Sequence, residues 1–220
     1  MLKLPDSPPF DLLPQLLAGA LLTLELTVII AIVGFLLAFP VAMARTAQNK
    51  FVRLGATAYV EVLRGTSAMV QLFVLFFILP AYGLRLDPKS TAIIALSLNM
   101  SAYGSEIVRG AISSIEQGQR EAAAALGLTR FQTWRLVILP QAFVTMLPSF
   151  GNQLVELLKA TSLVSLITLT DLTFAGRQMV VTTGRDLEVW GLVLLLYLAM
   201  AYPLTLLARY AERRAATFRR

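Results

Sequence analysis

The stretch that decides the fold runs from Ala111 to Gln141 and reads AISSIEQGQREAAAALGLTRFQTWRLVILPQ. Its apolar residues Ile112, Ile115, Ala122, Ala125 and Leu126 fall on one side of a short helix. Gly127 ends that helix, because glycine takes the left-handed conformation at a helix C-terminus without a Cβ clash. Thr129 caps a second helix, which carries Phe131, Trp134, Leu136 and Val137. Pro140 then marks the entry to a long apolar segment. Two short amphipathic helices at a bilayer surface present a compact knob to a partner protein. The alanines at 122–125 permit its close approach.

Working outward, the rest of the chain explains why that surface is a membrane. Of 220 residues, 57% are hydrophobic, and the mean hydropathy is +0.71. Soluble domains carry about 45–50% apolar residues. Five helical spans are predicted, at about 16–45, 55–82, 89–110, 141–160 and 187–210. The second is overlong, which places its first turns at the interface. The chain reads as a single all-α membrane domain, 1–220, with a connecting loop at 111–140. Ala42-Met43-Ala44 resembles a cleavage site, but Asp6 and Asp11 before the apolar run and Arg45 after it give the wrong polarity for a signal peptide.

Lys and Arg set the orientation. Thirteen cations fall on one side. They are Arg45, Lys50, Arg53 and Arg64, then Arg109, Arg120, Arg130 and Arg135, then the tail from Arg209 to Arg220. Five fall on the other, Lys3, Arg85, Lys89, Arg177 and Arg185. The 111–140 loop and the C-terminus are therefore predicted to be cytoplasmic and the N-terminus external. The net charge of +6 is placed by topology rather than by a nucleic-acid surface, since the cations do not interleave with exposed aromatics. The chain has no Cys and no His, which removes thiol chemistry, the usual zinc sites and haem or iron–sulfur ligation. No metal site and no catalytic residue is expected. No nucleophile–base pair marks an enzyme, and no filter-like repeat marks a channel.

Glu121-Ala122-Ala123, Gly127 and Ile138-Leu139-Pro140 resemble the EAA signature of ABC importer permeases. The likeness continues in Glu61-Val62-Leu63-Arg64-Gly65-Thr66, Gln71-Leu72-Phe73, Ala102-Tyr103 and Glu106-Ile107-Val108-Arg109-Gly110. It extends through Gly118-Gln119, Pro140-Gln141-Ala142, Asn152-Gln153 and Lys159 with Thr161-Ser162-Leu163. Together they resemble the polar amino-acid uptake permeases over nearly the whole chain. The resemblance implies a MetI-like fold and a dimeric membrane core, formed with an identical or homologous permease. It implies two ATPase subunits below and a substrate-binding protein outside. It implies that Glu121, Ala122, Ala123, Gly127 and Arg130 dock on the ATPase, and that this core imports amino acids or related small zwitterions by alternating access. The chain has no GxxxxGK[ST], so ATP and Mg belong to the partner and no cofactor is expected on this chain.

Ionisable residues inside a membrane are costly, roughly 2.5–3.5 kcal/mol at the centre, and default to a functional hypothesis. Asn152, Glu156 and Lys159 recur at spacings of four and three, one face of the fourth span, with Thr161 and Ser162 at its outer end. Gln71 and Asn99 lie deep in the second and third spans. Two readings stand for this set: a substrate path offering acceptors for an ammonium and donors for a carboxylate, or a Glu156–Lys159 structural pair with amides cross-linking helices. Glu61 and Arg64 read as structural or gating, Glu106 and Arg109 as helix-anchoring. One departure from the family is Ala160, where many relatives carry Asp; it weakens a cationic-substrate reading. The stretch Leu158–Phe174 resembles permeases for opines or ectoine-like compatible solutes. A permease of the same architecture for another solute, a sulfonate for example, is the alternative.

Overall fold

The computed structural model describes residues 10–217, all helices and connections, with no strand among them. Lys3, Asp6, Arg219 and Arg220, which entered the charge reading, lie outside the described residues. The helices are α1 (Leu13–Arg45), α2 (Lys50–Gly65), α3 (Ala68–Phe73), α4 (Pro88–Ser113) and α5 (Gln117–Ala125). They are followed by α6 (Arg130–Gln132), α7 (Leu139–Ala160), α8 (Leu172–Thr183) and α9 (Asp186–Thr217).

Two helices are both long and apolar enough to cross a bilayer, Leu13–Arg45 and Asp186–Arg214. Along α1, Leu21, Val28, Ile32 and Leu36 stay exposed; along α9 so do Leu194, Leu195, Leu198 and Leu206. Such apolar stripes suit a lipid or partner surface rather than water. The buried side of α1 carries small residues, Gly19, Ala20, Gly34, Ala38 and Ala42 among them, which let backbones approach closely. A Cβ on Gly19 would lie 2.8 Å from the Asp171 carbonyl oxygen, and one on Gly151 would lie 2.6 Å from the Ala208 Cβ.

α4 is long enough to span but more polar. It packs along α1 in the same direction: Lys89 meets Glu25, Met100 lies on Gly34, Gly104 on Ala38, and Glu106 reaches Arg45. Its Ser97, Ser101 and Ser105 are buried, the last two bonding carbonyls of their own helix. Enclosure by α1, α2 and α7 substitutes for the apolar face that lipid would demand.

The overlong second span is not one helix. Lys50–Gly65 and Ala68–Tyr82 meet at 104°. After Gly65, Thr66 and Ser67 are extended, and the carbonyls freed at the end of α2 need partners. Gln71 supplies one by donating to the Leu63 oxygen at 2.8 Å, and Asn99 donates to the same oxygen at 3.2 Å.

The second of the two loop helices is also not separate. Thr129 forms a capping box with Gln132, as its position predicts, but α6 continues through a wide π turn at Thr133–Ile138 into α7. A matching π turn occupies Val74–Ile78 after α3. Both end on the Ile of an Ile-Leu-Pro triplet, whose prolines are Pro80 and Pro140. Proline lacks the N–H for a regular helical bond and crowds the preceding turn, and widening that turn relieves both problems. Beyond α7, a 3-10 segment at Thr161–Ile167 leads through Thr168, in the left-handed region at φ 68°, to α8, at 52° to the preceding rod. α8 falls between the fourth and fifth predicted spans. Asp171 caps it, accepting from the Thr173 and Phe174 amides. Tyr197 and Thr173 share a 2.8 Å hydrogen bond that ties α8 to α9.

Candidate functional site

A cavity of about 640 Å³ opens between α4 and α7, with the end of α2 on one side. α4 contributes Asn99, Tyr103 and Glu106. α7 contributes Ser149, Asn152, Gln153 and Glu156, and α2 contributes Arg64. The α7 residues recur every three or four positions, so one helical face supplies them. Leu96, Met100, Ile107, Leu157 and Ala160 complete the wall.

One end of the cavity is a knot of charge. The Glu106 carboxylate accepts from Arg45 at 2.5 Å, from Arg109 at 2.7 Å, and lies 3.2 Å from Arg64. The Arg64 guanidinium also sits 5.3 Å from the centre of the Tyr103 ring, a cation–π distance. Three helices, α1, α2 and α4, are thus joined on one carboxylate. Glu106 and Arg109, read as helix-anchoring, pair with each other three apart on α4. Glu61 and Arg64 are three apart but do not pair: Arg64 turns to Glu106, and Glu61 stays exposed. Arg45 was counted in the sequence only as an interfacial cation. Its signal was available, since the first and third spans run in the same direction and bring positions 45 and 106 to one depth.

The predicted path residues divide. Asn99, Asn152 and Glu156 line the cavity. Gln71 does not; its amide is spent on Leu63, on the Thr66 hydroxyl at 2.9 Å, and on accepting from Asn99 at 3.1 Å. It braces the break between α2 and α3. Lys159 is absent from the wall, and no ion pair within 4 Å joins it to Glu156 among the described residues. Ala160 takes the next lining position instead. Thr161 is fully buried and donates to the Leu158 oxygen, and Ser162 donates to the Lys159 oxygen. Both hydroxyls close the last turn of α7, where the carbonyls lack helical partners. Gln153 was not singled out for the path. It donates to the Met100 oxygen at 3.0 Å, while its own Oε1 is buried without a partner. Glu156 is exposed to the cavity, so the site offers a carboxylate near Asn99, Asn152 and Gln153 and a guanidinium at its Arg64 end.

The second feature is the loop after α4. Glu121 is exposed on α5 and accepts from Gln117 at 2.8 Å, and Ala122 and Arg130 are exposed as well. Ala123 is buried, which makes it the inner support of α5. Gly127 takes φ +73°, the left-handed conformation predicted for it. Leu126 and Phe131 stay exposed beside them, an apolar rim on a charged knob.

The family model described as binding-protein-dependent transport system inner membrane component matches residues 30–217. A probable amino-acid ABC transporter permease of Sinorhizobium fredii is 42% identical over 215 residues, covering 95% of this chain and 90% of that one. The glutamine transport system permease of Escherichia coli is 39% identical over 204 residues, covering 92% and 93%. A crystal structure of an amino acid ABC transporter with histidines superposes with a TM-score of 0.87 at 34% identity, over 91% of this chain and 94% of that one.

Proposed function

This chain belongs to the family of binding-protein-dependent transport system inner membrane components, and on that footing we propose that it is the permease of an ATP-driven importer for amino acids or related small zwitterions. The observation that carries the substrate reading is the cavity between α4 and α7. Glu156 accepts the ammonium of a zwitterion there, and the Asn99 and Asn152 amides, with Arg64 at the far end, offer donors to its carboxylate. Apolar Leu96, Met100 and Leu157 receive the side chain.

Energy enters from a partner ATPase, which holds ATP and Mg. Glu121, Ala122, Gly127 and Arg130 dock on it, with Leu126 and Phe131 sealing the rim. The ATPase lies on the cytoplasmic side, because the cations of this chain concentrate at that end. This orientation puts the C-terminus inside and the N-terminus outside, facing a substrate-binding protein. Two permeases, identical or homologous, and two ATPases form the core. ATPase closure pulls α5, and α5 is linked to the cavity wall through α4 and through the continuous rod from α6 to α7. Alternating access follows from rocking of that rod.

A second reading is favoured by Ala160. It lines the cavity where many relatives of this kind carry an acid, so an opine or compatible solute fits better than a cationic amino acid. The test is uptake by the assembled transporter carrying Glu156→Gln. Loss of one charged hydrogen bond, about 1.5–3 kcal/mol, lowers kcat/KM about tenfold to a hundredfold for every amino-acid substrate. Unchanged uptake across a panel of amino acids, opines and ectoines removes Glu156 from the path.

A further inference from the structure

A second basic cavity, of about 300 Å³, lies at the Arg45 end of the molecule and takes no part in the path above. Its lining is Arg45, Lys50, Arg53, Leu54, Thr57 and Arg109. Four of the six are cations and none is an acid. The acid within reach, Glu106, is already shared by Arg45, Arg64 and Arg109. Lys50 and Arg53 form no ion pair among the described residues. Glu61, about two turns further along α2, is exposed and also unpaired. The pocket therefore holds a strong surplus of positive charge.

Its depth and flank identify the occupant. A 33-residue α1 is about 50 Å long, as long as a bilayer with its headgroups, and Arg45 is its last residue. The cavity thus sits at headgroup level. Beside it on α2, Phe51 is 84% exposed and Leu54 is 64% exposed. A soluble anion has no use for that apolar flank, whereas an acyl chain does. Basic pockets between spanning helices at an interface bind anionic headgroups.

We propose that this cavity is a binding site for an anionic glycerophospholipid, its phosphate held by Lys50 and Arg53 with help from Arg45 and Arg109, and an acyl chain lying on Phe51 and Leu54. The bound lipid fixes the junction of α1, α2 and α4, the same junction that Glu106 ties on its other side.

The test uses the assembled transporter in nanodiscs, with phosphatidylcholine alone or with added phosphatidylglycerol. A Phe51→Trp variant with Trp134→Phe and Trp190→Phe reports acyl contact at position 51, as the change in quenching against the same background with Phe51 retained, since brominated chains quench tryptophan fluorescence. Brominated phosphatidylglycerol is expected to quench at least about twice as strongly as brominated phosphatidylcholine at equal content. Lys50→Gln with Arg53→Gln, in the same background, is expected to abolish that preference. At about fivefold per cation, phosphatidylglycerol retention then falls about twenty-five-fold. Lys50→Arg with Arg53→Lys is expected to keep the preference, which separates charge from folding. Equal quenching by both lipids overturns the proposal. So does a tryptophan that neither lipid reaches because a second subunit covers it. Displacement of the lipid by millimolar inorganic phosphate, with no loss of complex stability, overturns it in favour of a free-anion site.

Discussion

Arg45 and Glu106 stand 61 positions apart in the chain and meet at 2.5 Å, and their pairing fixes α1 against α4 at the depth where the cavity begins. The Arg45 side chain is 11% exposed and that of Glu106 22%, whereas Arg64 is 43% exposed. The Arg45 bond is the more sheltered from water, although Glu106 keeps Arg109 and Arg64 when it is broken. Arg45→Gln is accordingly expected to destabilise the protein by about 1.5–3 kcal/mol, the loss of one charged hydrogen bond. Arg64→Gln, better solvated, is expected to cost about 1 kcal/mol or less. Denaturation in detergent measures both, and a larger loss for Arg64 contradicts this ranking.

Gly19→Ala is expected to destabilise by about 1–3 kcal/mol, since its Cβ meets the Asp171 backbone and the start of α8 must move. Gly191→Ala is the matched control. Nothing lies within 4 Å of its Cβ, so the helix gains about 0.4–1 kcal/mol. Thermal unfolding of the two variants in one detergent decides the matter.

Glu121→Lys is expected to leave the fold and membrane insertion intact, because among the described residues its side chain bonds only Gln117 on its own helix. Co-purification of the ATPase is expected to fall at least about tenfold, and transport with it, through the loss and reversal of an interfacial charge. Normal co-purification removes Glu121 from the coupling surface.

Gln71→Leu is expected to disturb the break between α2 and α3 rather than substrate selection. It removes one of the two donors to the Leu63 carbonyl and one acceptor of the Asn99 amide, which still bond each other, at a cost of about 0.5–1.5 kcal/mol. Stability falls while the relative preference among substrates is unchanged. A shift in preference with stability retained places Gln71 in the path after all.

What the sequence made legible was what local chemistry decides. Gly127, Thr129 and the alanines of α5 declare a helix end, a cap and a helix in their own residue types, and all three stand where they were expected. Asn99, Asn152 and Glu156 share the cavity because helical periodicity alone puts the last two on one face. Long-range geometry was less visible. Nothing near Arg64 in the chain says that it prefers Glu106, from another helix, to Glu61 on its own. The break after Gly65 lies at Gly65-Thr66-Ser67, inside what reads by length as one span, and these residues give no angle. Lys159 follows the spacing of the polar face, but α7 meets its neighbours over Ala160 instead. The signals of α8 are local, an Asp171 cap, Leu172, Ala175 and Met179 at helical spacing and Gly184 at its end, but twelve residues fall short of a span, and a reading by span length passes over them.

ATP-dependent uptake of labelled amino acids into proteoliposomes, with this permease, its ATPase and its binding protein reconstituted together, tests the central claim most directly. The expected result is saturable accumulation that requires ATP on the side of the α5 loop and is lost when the ATPase subunit is omitted. Accumulation that persists without the ATPase, or hydrolysis with no uptake of any amino acid, opine or compatible solute, contradicts it.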